Sequence, residues 1–118
     1  MGIKVGTDIV SIKRVAKSID RFGDKFLDKF LNKDEIARAS KIESIAGLWA
    51  AKEAVSKALG CGIGKELNFK DITIKKDEKR APYIVLNSNK FKIIDSSISI
   101  SHEKDFAIAV VVLNFSYI

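Results

Sequence analysis

The chain of 118 residues is poor in the residues that usually mark a specialised site or compartment. A single cysteine, Cys61, excludes an intramolecular disulfide and predicts a reducing, cytoplasmic setting. One histidine, His102, beside one cysteine leaves too few soft ligands for zinc. One proline and a hydrophobic content of 47% exclude a disordered chain, and neither an internal repeat nor a low-complexity linker interrupts it. No apolar run approaches the roughly 18 residues of a membrane span, and charges come too early for a signal peptide. The phosphate loop pattern GxxxxGK[ST] is absent. Aromatics are sparse: Phe91 and Phe106 alone stand between Tyr83 and Leu113, which lacks the interleaving expected of a nucleic-acid surface.

What remains is a basic chain of single-domain size. Lys and Arg number 21 against 15 Asp and Glu, a net charge of +6, so an anionic partner is expected: nucleic acid, a phosphate cofactor or an acidic protein. The length suits one domain over residues 1–118 with a real core.

Ile3 to Ile9 reads as a strand, with Ile3, Val5 and Thr7 alternating against Lys4, Gly6 and Asp8. Ser11 is placed to cap a helix running toward Asp20, and Asn32 to cap another from Lys33 to Ser40 with Glu35 at its third position. A long helix spans about Glu43 to Leu59 and stops at Gly60-Cys61-Gly62-Ile63-Gly64. Beyond it, Phe69 to Lys75 and Tyr83 to Asn87 read as strands, and Ser88 to Ile93 as a helical turn. Ser97 to Ser101 and Phe106 to Leu113 form a hairpin. The expected fold is α+β: a helical first half packed on a mostly antiparallel sheet that the N-terminal strand joins.

The long helix carries the densest chemistry, in Trp49-Ala50-Ala51-Lys52-Glu53-Ala54-Val55-Ser56-Lys57-Ala58. At about 100° per residue, Ile45, Leu48, Val55 and Leu59 form a bulky apolar side. Gly47, Ala51, Ala54 and Ala58 form a small side open to another backbone. Glu53 and Lys57 share a third side with Ala46 and Ala50, which a ligand could approach. Alone, an i,i+4 Glu–Lys pair is a solvated contact worth roughly 0.2–0.5 kcal/mol. Asp8, at the end of the first strand, gives Glu53 a possible carboxylate partner. Two carboxylates with water and substrate phosphates are a common way to hold Mg²⁺.

These pieces, in this order, resemble the holo-[acyl-carrier-protein] synthases, small single-domain 4′-phosphopantetheinyl transferases. The matching text is Gly6-Thr7-Asp8-Ile9-Val10, then Trp49-Ala50-Ala51-Lys52-Glu53-Ala54 through Lys57-Ala58-Leu59-Gly60. Gly62-Ile63-Gly64, Asp71-Ile72-Thr73-Ile74, Ser97-Ile98-Ser99-Ile100-Ser101-His102 and Ala107-Ile108-Ala109 complete it. The resemblance implies transfer of the phosphopantetheine arm of coenzyme A to a serine of acyl carrier protein, in fatty acid biosynthesis, with release of adenosine 3′,5′-bisphosphate. It implies Asp8 and Glu53 as Mg²⁺ ligands and, with Lys57, as the catalytic set. Lys52, Ser56, Gly60, Gly62, Ile63 and Gly64 would contact the coenzyme, with Pro82, Ser101 and His102. It also implies a homotrimer with active sites between subunits, which would account for the small side of the long helix. Lys13, Arg14, Lys17, Arg21 and Lys25 would dock the acidic carrier protein.

Three positions depart from the family pattern: Ser11 where an acid often stands, Leu48 where an arginine does, and Arg80-Ala81-Pro82 in place of Gly-x-Pro. Lys41 or Lys52 is the candidate replacement cation. The competing reading is a basic nucleic-acid-binding module without catalysis. It explains the net charge and leaves the carboxylate pair unexplained.

Overall fold

A computed structural model describes residues 2–118. Strand β1 (Lys4–Ser11) leads into helices α1 (Ile12–Phe22), α2 (Asp24–Phe30), α3 (Lys33–Arg38) and α4 (Ile42–Leu59). A 3-10 turn (Phe69–Asp71) precedes strands β2 (Ile72–Lys76), β3 (Pro82–Leu86), β4 (Phe91–His102) and β5 (Phe106–Tyr117). The strands form two antiparallel sheets, one in the order β1-β5-β4 and the other β2-β3. This is the α+β fold anticipated from the sequence.

Local chemistry sets the helix boundaries. Ser11 Oγ accepts the Arg14 N–H at 3.4 Å, and Gly23, at φ 59°, closes α1 with its N–H on the Ile19 carbonyl. Asn32 and Glu35 form a reciprocal capping box on α3. Gly60, at φ 83°, ends α4, and the Ser56 carbonyl also accepts the N–H groups of Cys61 and Gly62.

The core lies where α4 packs on the inner face of the three-stranded sheet. Ala107, Ala109, Val111 and Leu113 of β5 are buried there, as is Gly6 of β1. A Cβ built on Gly6 would fall 1.9 Å from the Ala54 carbonyl oxygen and 2.7 Å from the Ala58 nitrogen. The small side of α4 is therefore filled by β1 of the same chain, which corrects its attribution to a neighbouring subunit. It also decides which face of β1 turns inward. Gly6, Asp8 and Val10 point to the helix, while Ile3, Val5 and Ile9 are 77%, 61% and 63% exposed. Ala46 and Ala50 are fully buried, so the side they share with Glu53 and Lys57 is open only at the two charged residues.

Two element assignments change for non-local reasons. Residues 88–93 are not a helical turn: Ser88 Oγ caps a bend by accepting the N–H groups of Lys90 and Phe91, and β4 begins at Phe91. It does so because Phe91, Lys92 and Ile93 pair with Tyr117, Ser116 and Phe115, with a bulge between Ile93 and Asp95. Phe69 to Asp71 is a 3-10 turn rather than strand, since Asp71 accepts the Asn68 N–H and completes a second capping box.

Gly6→Ala should therefore destabilise the fold by at least about 1–3 kcal/mol, the usual cost of overpacking, because backbone rather than a flexible side chain blocks the methyl. Gly64, with nothing within 4 Å of its Cβ direction, is the control. Thermal unfolding of the two alanine variants checks the contrast, and Gly64→Ala should unfold close to the unaltered protein.

Candidate active site

Asp8 reaches the functional face because the tight seat of Gly6 on α4 carries the same inward side of β1 two residues further. Glu53 and Lys57 stand on successive turns of α4 and face it. The Lys57 ammonium donates to Asp8 Oδ1 and to the Thr7 carbonyl, both at 3.1 Å. Asp8, Glu53 and Lys57 line one cleft of about 460 Å³, with Arg14 and Ser18 of α1 on the opposite wall. Phe26 and Trp49 supply an apolar wall, their rings stacked at 5.8 Å between centroids.

The electrostatics single out Glu53. Burial pushes the Glu53 carboxyl above its ordinary range, the Asp8 charge pushes it further, and Lys57 opposes both. Asp8 and Glu53 give the cleft a pair of acceptor carboxylates, faced by the Lys57 ammonium and the Arg14 guanidinium. Among the described residues no three His, Cys, Asp or Glu side chains gather to cage a metal. The pair Asp8 and Glu53 fits a hard divalent cation that takes its remaining ligands from water and phosphate, and a dication would relieve their repulsion.

A second cleft, of about 450 Å³, lies across Lys57 and is lined by Lys4, Val5, Leu59, Gly60, Phe115 and Tyr117. Gly60 thus borders the Lys57 side of the site. Gly62, with φ 67°, and Gly64 follow in an open loop with no heavy atom near either Cβ direction.

Pro82 and His102 sit elsewhere, in a third cleft of about 300 Å³ with Gly47, Leu48 and Ile100. Ser101 is exposed next to His102 on β4. Asp8 and His102 belong to opposite edges of the β1-β5-β4 sheet, two strand spacings or about 10 Å apart across it. Within one chain these groups do not share a cleft with Asp8 and Glu53. Sequence reasoning missed that Arg38, Lys76 and Arg80 line this third cleft; Lys41 does not. Arg80, at φ 68°, stands in the left-handed region that favours glycine, and its replacement of the glycine in the family pattern is the sequence signal that marks it.

Two expected coenzyme contacts are overturned. Lys52 is wholly buried, its ammonium bonded to the Phe30 carbonyl at 2.6 Å, Glu35 Oε1 at 2.7 Å and the Phe69 carbonyl at 3.2 Å. Those acceptors use all three of its protons, so it can neither touch a ligand nor replace the missing arginine. Burial lowers its proton affinity and Glu35 partly restores it. Ser56 is likewise buried, its hydroxyl donating to the Glu53 carbonyl at 2.6 Å. Lys13, Arg14, Lys17, Arg21 and Lys25 are all exposed along α1 and the start of α2.

Comparison with known proteins gives one consistent result. The family model of the 4′-phosphopantetheinyl transferase superfamily matches residues 4–111. The holo-[acyl-carrier-protein] synthase of Sulfurovum sp. (strain NBC37-1) is 54% identical over 116 residues, covering 96% of this chain and 98% of that protein. The crystal structure of Helicobacter pylori holo-[acyl-carrier-protein] synthase in complex with coenzyme A is 51% identical, with a TM-score of 0.87 over 93% of this chain and 99% of that one. The Bacillus anthracis enzyme in complex with CoA (3′,5′-ADP) is 39% identical, with a TM-score of 0.79 over 93% and 94%.

The raised Glu53 carboxyl has a signed consequence for stability. The folded chain holds this proton to higher pH than the unfolded chain, so stability falls as pH rises from the ordinary carboxylate value through the raised one. Glu53→Gln removes that loss. The variant should unfold at a higher temperature than the unaltered protein at neutral pH, and the two should converge as pH drops below the carboxylate range. Thermal unfolding across pH 3–8 reads this directly.

Proposed function

The chain belongs to the 4′-phosphopantetheinyl transferase superfamily as a holo-[acyl-carrier-protein] synthase, and we propose that Asp8, Glu53 and Lys57 carry its Mg²⁺-dependent transfer step. One observation carries the reading: two carboxylates with raised mutual cost share a cleft with an ammonium 3.1 Å from one of them.

Asp8 and Glu53 would hold the metal, which when bound would supply positive charge to offset that of the coenzyme A pyrophosphate. Lys57 lies beside the same phosphates and offsets the charge that builds on the leaving group. The serine hydroxyl of acyl carrier protein passes its proton to solvent water as its oxygen bonds to the β-phosphorus. The bond from that phosphorus to the bridging oxygen breaks, and adenosine 3′,5′-bisphosphate departs. This chemistry needs positioning and charge neutralisation rather than a covalent nucleophile, in keeping with a cleft that holds no cysteine or histidine.

The nucleotide end of the coenzyme lies along Gly60, Gly62, Ile63 and Gly64 and against Pro82, Ser101 and His102. Because the His102 cleft and the Asp8 cleft occupy opposite sheet edges, this arrangement uses two copies of the chain. The outer face of the sheet supports such an assembly. Val5 and Ile9 of β1 stand opposite Val112 and Ile108 of β5, with Val110 and Phe106 extending the same exposed apolar face. A homotrimer packed through it shares each site between subunits. The activity serves fatty acid biosynthesis in the cytoplasm.

Carrier protein docks on the basic face of Lys13, Arg14, Lys17, Arg21 and Lys25. Arg14 also lines the Asp8 cleft, so docking there delivers the serine to the metal pair.

Mass spectrometry of acyl carrier protein incubated with this chain, coenzyme A and Mg²⁺ should detect the phosphopantetheine adduct. EDTA should abolish it and added Mg²⁺ restore it; a reaction indifferent to EDTA overturns the metal assignment. Asp8→Asn and Glu53→Gln should each lose transfer while remaining folded. Lys57→Ala should lower kcat more than it raises KM for coenzyme A, since its cation matters most in the transition state.

The docking surface has its own test in steady-state kinetics. Arg14→Glu with Arg21→Glu should raise KM for carrier protein and leave that for coenzyme A nearly unchanged. The penalty should shrink with salt, because exposed charges are screened within about 10 Å at 0.1 M. Unchanged carrier-protein kinetics at low salt would remove this surface from consideration.

A further inference from the structure

The transfer step proposed above makes no use of Lys52, the one fully buried ammonium of the described residues. Its partner Glu35 is equally buried and accepts on both oxygens: Oε1 accepts the Lys52 ammonium at 2.7 Å and the Asn32 N–H at 2.8 Å, and Oε2 accepts the Ile74 N–H at 2.8 Å. Stability does not explain such a pair, because apolar residues of similar volume usually do as well or better in a core. Its placement does. The pair joins α4 to the end of α2, to α3, to the 3-10 turn and to β2 through five hydrogen bonds.

Two of the acceptors that Lys52 grips are the backbones of Phe30 and Phe69. The rings of these same residues pack edge-on and tilted against Trp49, with centroids 4.8 and 4.7 Å away. Trp49 and Phe26 form the apolar wall of the cleft that holds Asp8 and Glu53. One turn of α4 thus carries the wall, the anchor and the carboxylate in the order Trp49, Lys52, Glu53. A point anchored off the axis on one side of a helix fixes the rotation of that turn, and with it the direction of the neighbouring side chains.

We infer that Lys52, clamped by Glu35, is a positioning residue for the transfer reaction: it sets the rotation of α4 that aims Glu53 at Asp8 and holds the Trp49–Phe26 wall against the cleft. The inference rests on the assignment of Glu53 to that reaction.

Lys52→Met alone strands a buried carboxylate and is expected to unfold. The informative variant is the double substitution Lys52→Met with Glu35→Gln, which removes both charges, keeps an acceptor for one backbone N–H and offers a donor to the carbonyls. Trp49 is the only tryptophan, so its emission and its quenching by acrylamide report on the wall independently of activity. The double variant should fold with a melting temperature near that of the unaltered protein, yet show red-shifted and more readily quenched Trp49 emission. Its kcat should fall by roughly tenfold or more with KM for coenzyme A almost unchanged, the mark of a displaced catalytic group. A folded double variant with unaltered quenching and unaltered kcat overturns the inference. Failure of the unaltered protein to transfer at all counts against the transfer assignment, while unaltered quenching in the double variant counts against the anchor.

Discussion

The seating of Gly6 on the backbone of α4 is the constraint from which the functional face follows. Any side chain at that position would intrude on the Ala54 carbonyl, so β1 can lie this close only at glycine. Because a strand alternates faces, the same contact that buries Gly6 turns Asp8 toward the helix and Val5 and Ile9 away from it. Because a helix brings i and i+4 together, Glu53 and Lys57 meet Asp8 from a single stripe. Three charged groups far apart in sequence are gathered by a residue with no side chain.

The chain treats its buried charges in two opposite ways. Lys52 and Glu35 are paired with each other, all three ammonium protons are donated and both carboxylate oxygens accept, which offsets the cost of burying such charges. Asp8 and Glu53 lie half-buried in one cleft, where burial first and the Asp8 charge second raise the proton affinity of Glu53 against the pull of Lys57. Local chemistry is satisfied where it holds the fold and less so in the cleft proposed to take the ligand, as expected when a site carries strain that the rest of the domain offsets.

Much of this was legible in the sequence, and the parts that were not share a cause. The caps at Ser11 and Asn32, the glycine stop at Gly60 and the alternation of Ile98 and Ile100 against serines are local signals, and the structure bears them out. The identity of the carboxylate pair was legible because each member sits in a short motif. The misreadings concern residues whose environment is made by distant segments. Lys52 reads as a helix-surface cation until the Phe30 carbonyl, 22 residues earlier, and the Phe69 carbonyl, 17 later, enclose it. The start of β4 depends on its pairing with Tyr117, and the inward face of β1 depends on α4. Arg38 and Arg80 belong to a cleft that only the packing of α3, α4, β2, β3 and β4 creates.

The pairing of β1 with β5 has a consequence for the order in which the molecule acquires its shape. Asp8 belongs to the first strand, but its neighbour in the sheet is Ala109 of the last one. Closing so long a loop costs entropy before any contact repays it, and topologies dominated by such pairings fold slowly. On the ribosome, the helices can form while β1 still waits for its partner strand. The carboxylate at position 8 is therefore among the first residues synthesised and its sheet neighbour among the last, so the strand pairing that holds β1 in the sheet closes only when β5 has emerged.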